Sequence, residues 1–247
     1  MEEVRIRIYV MNISCLTDEK EYERAYRLSS TARKKKADAL KNAPDKARCI
    51  GAGLLIREAF FRFCKETESR SPAVVTPLVY EQIEMGQGKE QGETGRWVLP
   101  EEKADEHGRV YLAGEGGSLS AAVRVTIPYL SISHAGDYAA VAMADRRIGV
   151  DLERNRKMSK GLARRILSDA EKREWEQIRG SQEQMGQRFL LKVWTEKEAA
   201  AKLDGRGIFA MMGELSADDW RDKLCLDSRE LEGDYILSWA VNRELRL

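Results

Sequence analysis

The sequence has no surplus of charge of either sign, no paired cysteines and no long apolar run, and each absence removes a class of function. There are 42 Lys and Arg against 41 Asp and Glu, so the 247 residues carry a formal charge of +1. The global positive field of a dedicated nucleic-acid binder is missing, and any charged partner must be met locally. No uninterrupted apolar stretch approaches the roughly 20 residues of a membrane-spanning helix, and charged residues make up 34% of the chain, so no membrane partner is expected. The opening Met1, Glu2, Glu3, Val4 is acidic where a secretory signal is basic. The cysteines (Cys15, Cys49, Cys64, Cys225) are scattered without a C-x-x-C pair, which points to neither a zinc site nor a disulfide framework. The expectation is a cytoplasmic protein with free thiols. No G-x-x-x-x-G-K-[ST] sequence occurs, which removes the commonest phosphate cradle.

What is present is an apolar content of 43%, enough for a sizeable core and more than one structural unit. Val4, Ile6, Ile8 and Val10 alternate with Arg5, Arg7 and Tyr9, the period of a strand with one buried face. Residues 17–41 are charged and helix-compatible and contain the basic run Arg33 to Lys36. After Pro44, the stretch 45–65 places Ala47, Ile50, Leu54, Leu55, Ala59, Phe60 and Phe63 at helical spacing, which predicts a long buried helix. Residues 84–117 are rich in Gly, Glu and Gln and read as loops around one short strand near Trp97 and Val98. Strands are expected at 123–133, 138–143 and 147–153. In the last of these, Ile148, Val150 and Leu152 take one face, and Gly149, Asp151 and Glu153 take the other. Two carboxylates therefore point the same way.

Three helices follow. One covers 162–167, and a second is opened by the capping box of Ser168 and Glu171 and ends near Gly180. The third covers 187–203 and stops before Gly205. On the third, Leu190, Val193, Trp194 and Ala201 form an apolar stripe with Lys197 inside it; Glu198 and Lys202 flank the stripe, and Lys192 and Glu196 face away. A lysine in a buried stripe is costly unless it meets an anion, either phosphate or carboxylate. Taken singly, Glu198 and Lys202 read as a surface pair worth about 0.3 kcal/mol. Asp151 and Glu153 read as a solvated strand face, His134 as a structural imidazole, and the 33–36 run as a solvated helix face. Taken together, three carboxylates suit a hard divalent cation, and the lysines and arginines suit polyphosphate. Each half of the chain has an opening strand, charged helical material, one long apolar helix and further strands, a weak internal duplication.

The wording of three motifs then becomes specific. Ser131-Ile132-Ser133-His134-Ala135-Gly136-Asp137-Tyr138, Ile148-Gly149-Val150-Asp151-Leu152-Glu153 and Trp194-Thr195-Glu196-Lys197-Glu198-Ala199-Ala200-Ala201-Lys202 resemble, in order and spacing, the surfactin-type branch of the 4'-phosphopantetheinyl transferase superfamily. The resemblance implies an α/β (α+β) fold of two similar halves related by a pseudo-twofold axis, 1–145 and 146–247. Each half would be a small sheet packed with helices, with the ligand in the cleft between them and the chain a monomer that is an internal pseudo-dimer. The implied reaction moves 4'-phosphopantetheine from coenzyme A to a serine of an apo acyl or peptidyl carrier protein and releases adenosine 3',5'-bisphosphate.

By that resemblance, Asp151, Glu153 and Glu198 hold Mg2+, with Mn2+ as a substitute. Glu198 is the base, directly or through water, and Lys202 assists the leaving bisphosphate. Lys197 and Lys202 bind phosphates, and Ser133 and His134 contact the nucleotide side. Arg33, Lys36 and Arg48 reach the 3'-phosphate, while Gly88-Lys89-Glu90 echoes the family's G-K-P segment beside the adenine. Ser131 and Ala135 stand where the family commonly has Asn and Ser. Carrier proteins are acidic helical domains, and Arg164, Arg165, Lys172 and Arg173 are the cations that would receive one. The competing readings are another Mg2+-dependent phosphotransferase and a non-catalytic coenzyme A-binding or interaction protein.

Overall fold

The computed structural model describes residues 5–68, 78–83, 101–106, 110–113, 127–232 and 234–243. It is a mixed α/β structure that divides into two compact units, residues 1–146 and 147–247. Lys89 and the strand expected near Trp97 and Val98 lie outside the described residues.

In the first unit, β1 (Ile6–Asn12) lies between β2 (Leu78–Ile83), to which it is parallel, and β6 (Tyr138–Ala144), to which it is antiparallel; β5 (Tyr129–Ala135) completes the order β2-β1-β6-β5. A short 3-10 turn at Ser14–Thr17 leads to α1 (Glu19–Leu28) and α2 (Thr31–Asp38). Asp18 caps α1 by accepting from the amides of Lys20 and Glu21, and Ser30 caps α2 by accepting from that of Arg33, the side-chain satisfaction that open helix N-termini require. The helix-compatible stretch 17–41 thus forms two helices, each opened by its own capping residue. The long helix α3 (Ala43–Glu68) packs against β6 and β1 and buries Ile50, Leu55, Ile56, Phe60 and Phe63 with Tyr9, Met11, Val141 and Met143.

One expectation changes at β1. Its intervening residues Arg7 and Tyr9 are buried as well as Ile8 and Val10, because Tyr9 and Met11 join the α3 core and Arg7 donates to Glu66 near the end of α3 at 2.6 Å. The Gly/Glu/Gln-rich stretch also holds more regular structure than expected, with β3 (Glu101–Ala104) and β4 (Val110–Ala113) forming an antiparallel pair. Gly136, with φ of 49°, opens the two-residue link between β5 and β6, a position that favours glycine.

In the second unit, β7 (Gly149–Arg154), β9 (Tyr235–Asn242) and β8 (Leu224–Leu231) form an antiparallel sheet in the order β7-β9-β8. α4 (Lys160–Ile166) precedes α5 (Asp169–Ser181), whose Ser168/Glu171 capping box forms as read from the sequence. α6 (Glu183–Asp204) begins a turn earlier than expected and ends at Gly205 with φ of 101°, a left-handed stop. The short α7 (Met212–Leu215) follows. The apolar stripe of α6 packs with Ile166, Trp175, Trp220 and Ile236, and the helix lies on β7 and β9. Among the described residues no helix is long and apolar enough to cross a membrane.

Candidate active site

The site begins with a glycine. A Cβ on Gly149 would lie 1.9 Å from the Ala199 carbonyl oxygen and 2.5 Å from the Leu203 nitrogen, so β7 meets the backbone of α6 where only glycine fits. Because strand side chains alternate, Asp151 and Glu153 share the Gly149 face and continue along α6. Lys202 Nζ donates to Asp151 Oδ1 at 2.7 Å, and Trp194 Nε1 donates to Glu153 Oε1 at 3.1 Å. Partners 202 and then 194 along the strand show that α6 runs antiparallel to it. Glu198 lies between these partners on the helix.

The electrostatics follow from that packing. Burial, then the like charge of Asp151, push the Glu198 carboxyl up to about 7; Lys202 pulls the other way and Glu153 adds to the rise. Three carboxylates share one low-dielectric face, and their repulsion is what a cation would relieve. Among the described residues no three His, Cys, Asp or Glu side chains close on a point as a ready metal cage. The donor set is nonetheless all hard oxygen, and Mg2+ is commonly held by one or two carboxylates with phosphate oxygens and water completing its shell. Asp151, Glu153 and Glu198 therefore fit Mg2+ together with a polyphosphate ligand.

Lys197 departs from its expected place. It is fully buried, and its ammonium donates to Glu171 Oε2 at 2.6 Å and to the Ile166 carbonyl, with the Trp220 ring 5.2 Å away. The anion its stripe requires is a carboxylate of this chain. Glu196, expected to face away, is also buried, accepting from Arg221 Nη2 at 2.6 Å and from Ser228 Oγ at 3.1 Å. Each departure comes from chain distant in sequence, which a helical wheel cannot show: α5 and the end of α4 supply Glu171 and the Ile166 carbonyl to Lys197, and the chain beyond residue 216 returns over α6 and supplies Arg221 and Ser228 to Glu196.

The first unit holds the remaining candidates. Arg33 is buried, with Nε 2.6 Å from Glu102 Oε2, and Ser30 Oγ donates to the other Glu102 oxygen at 3.2 Å. Its stem also fills the space beside Gly53, where a Cβ would lie 2.8 Å from Arg33 Cγ. Lys36, one turn later, is exposed. Arg48 pairs with Asp45, and this bond, more than the Asn42 bond or the nearby His134, holds the Asp45 carboxyl below its usual range. Arg48, Asp45 and His134 are thus neighbours, with His134 exposed and Ser133 buried on β5.

Sequence reasoning missed Trp194 as the donor to Glu153, Arg221 as the partner of two glutamates, and Gly149 as the contact that sets the site. Only the last had a usable signal, since a glycine within a strand marks close backbone approach.

Residues 147–239 match the sequence model of the 4'-phosphopantetheinyl transferase superfamily. The match spans most of the second unit. A curated relative described as 4'-phosphopantetheinyl transferase psf-1, from Bacillus pumilus, is 26% identical over 89 residues, which is 36% of this chain and 37% of the relative. The chain thus matches little more than a third of that relative's length. The stretch matched to the superfamily holds Asp151, Glu153, Glu198 and Lys202, together with Gly149, which brings them to one face.

Proposed function

We propose that this chain is a member of the phosphopantetheinyl transferase superfamily and transfers the 4'-phosphopantetheine moiety of coenzyme A to a serine of an apo acyl or peptidyl carrier protein, with adenosine 3',5'-bisphosphate leaving. The observation that carries the reading is the face shared by β7 and α6, where Asp151, Glu153, Glu198 and Lys202 converge. In balanced form, the serine oxygen attacks the phosphorus on the pantetheine side of the diphosphate, the bond to the bridging oxygen breaks, and the serine proton is taken up by a base. Mg2+ held by Asp151, Glu153 and Glu198 would neutralise charge on the diphosphate and align it for in-line attack.

The chain's own groups supply the rest. Glu198 would receive the serine proton directly or through water; burial and Asp151 raise its carboxyl to about 7, a bound Mg2+ would pull it back down, and that favours relay through water. Lys202 pairs with Asp151 and would offer its ammonium to the departing bisphosphate. Arg48, Lys36, Ser133 and His134 are proposed to hold the nucleotide and its 3'-phosphate, and Lys89 the adenine side. Arg33 would join them only through the part of its guanidinium not bonded to Glu102.

On the carrier side, Arg164 and Arg165 on α4 are exposed, as is Arg173 on α5, while Lys172 is paired with Asp169 at 3.0 Å. They would attract an acidic partner by charge complementarity. Purified protein incubated with coenzyme A, Mg2+ and a panel of apo carriers should add one phosphopantetheine mass to a carrier, and EDTA should abolish the gain. Coenzyme A binding with no modified carrier would replace transfer with the binding-protein reading.

A further inference from the structure

The Glu171 carboxylate is a hub inside the second unit. One oxygen accepts from the Ser168 amide at 2.8 Å and from Lys197 Nζ at 2.6 Å; the other accepts from Trp220 Nε1 at 3.1 Å and Arg221 Nη1 at 2.6 Å. Arg221 continues to Glu196, which accepts from Ser228 Oγ, and Ser228 Oγ lies 2.9 Å from Ser238 Oγ. Lys197 also reaches the Ile166 carbonyl at the end of α4. The end of α4, the start of α5, the 216–223 turn and strands β8 and β9 are therefore tied to two consecutive residues of α6, Glu196 and Lys197. The next residue is Glu198.

We infer that the buried Glu171–Lys197 pair is a positioning device: it fixes the rotation of α6 and hence the places of Glu198 and Lys202, and Lys197 acts on the site through Glu171 without touching a phosphate. Three observations support this. Lys197 has 0% of its surface exposed, its ammonium already has a carboxylate and a carbonyl, and the Trp220 ring stands beside it. At a side-chain radius of about 5–6 Å, a helix rotation of about 20° would move the Glu198 carboxylate by about 2 Å. A displacement of about 1 Å is enough to cost about a hundredfold in rate.

The inference rests on the transfer reading above, and the test separates the two. E171Q, K197M and the E171Q/K197M double variant of the full chain are compared for coenzyme A affinity by calorimetry, for kcat and KM of carrier modification, and for thermal stability. E171Q strands a buried ammonium, so kcat should fall at least about tenfold with the KM for coenzyme A nearly unchanged, and adding K197M should restore most of the loss because the unpaired charge is gone. K197M alone should leave coenzyme A affinity within about twofold.

A phosphate-binding Lys197 predicts the opposite sign. K197M would then weaken coenzyme A by about tenfold or more, the double variant would be worse than E171Q, and the inference would be overturned. E171Q that melts lower but keeps wild-type kcat below its melting point would also overturn it, since the pair would then be structural only. Should E171Q not fold, recovery of folded protein in the double variant together with the coenzyme A affinity of K197M decides the matter. Should the wild-type chain modify no carrier, the transfer reading fails by itself, and Mn2+ affinity takes the place of kcat. About tenfold weaker Mn2+ binding in E171Q, restored in the double variant, supports positioning, and unchanged binding overturns it.

Discussion

Replacing Gly149 with alanine tests whether the approach of β7 to α6 builds the site. The new methyl would stand 1.9 Å from the Ala199 carbonyl oxygen and 3.0 Å from its carbon. Both are backbone atoms of a packed helix, so no side chain can rotate out of the way. Restoring an ordinary contact of about 3.4 Å requires strand and helix to separate by about 1.5 Å, an overpacking that costs about 3 kcal/mol. The same shift carries Asp151 away from Lys202 and Glu198, and at about a hundredfold per ångström of misplacement carrier modification should fall by about that factor or more. Urea unfolding of both proteins measures the first effect, and intact-mass kinetics of carrier modification measures the second. Wild-type stability and rate in Gly149→Ala would refute the argument, because that outcome requires β7 and α6 to be farther apart than the site geometry needs.

Three further outcomes follow from the same geometry. Glu198 has its carboxyl raised to about 7 in the metal-free fold against an ordinary 4.5, so the folded state binds the proton that the unfolded chain releases between those values. Stability therefore falls as pH rises from about 4.5 through 7, and Glu198→Gln removes that slope, making the variant the more stable protein at pH 8 without divalent cation; urea midpoints at pH 5 and 8 check this. Trp194→Phe keeps the ring but removes the donor to Glu153 and should weaken Mn2+ binding by about tenfold, read by calorimetry. Arg33→Met leaves the buried Glu102 with Ser30 as its one remaining partner among the described residues and should cost about 3 kcal/mol, whereas Lys36→Ala on the exposed side of α2 should change stability by less than about 0.5 kcal/mol; guanidinium unfolding separates the two.

The parts of this chain that were legible in sequence are those whose cause is local. The Ser168/Glu171 box, the Gly205 stop and the shared face of Gly149, Asp151 and Glu153 depend on spacing within a few residues, and the structure shows each of them. What was not legible depends on chain that returns from far away. Glu171 reads as a cap and nothing more until Trp220 and Arg221 come back to it across about fifty residues of sequence. Likewise β9, whose Tyr235–Val241 run is buried throughout, is the central strand of its sheet although nothing in the three motifs points to it.

Lys197 shows why the distinction matters for chemistry. Its position in an apolar stripe correctly demanded an anion, and periodicity could not say whether that anion is a ligand phosphate or a carboxylate 26 residues earlier in the chain. Lys202, five residues on and so well over a quarter-turn around the helix, has the same charge but is only partly buried and reaches the carboxylate face. Two lysines of one motif thus divide the work by burial. The exposed side of the helix can meet a ligand, and the buried side fixes where that meeting takes place. The Glu171 and Lys197 variants should therefore shift kcat with little change in coenzyme A affinity, while a Lys202 variant should shift both.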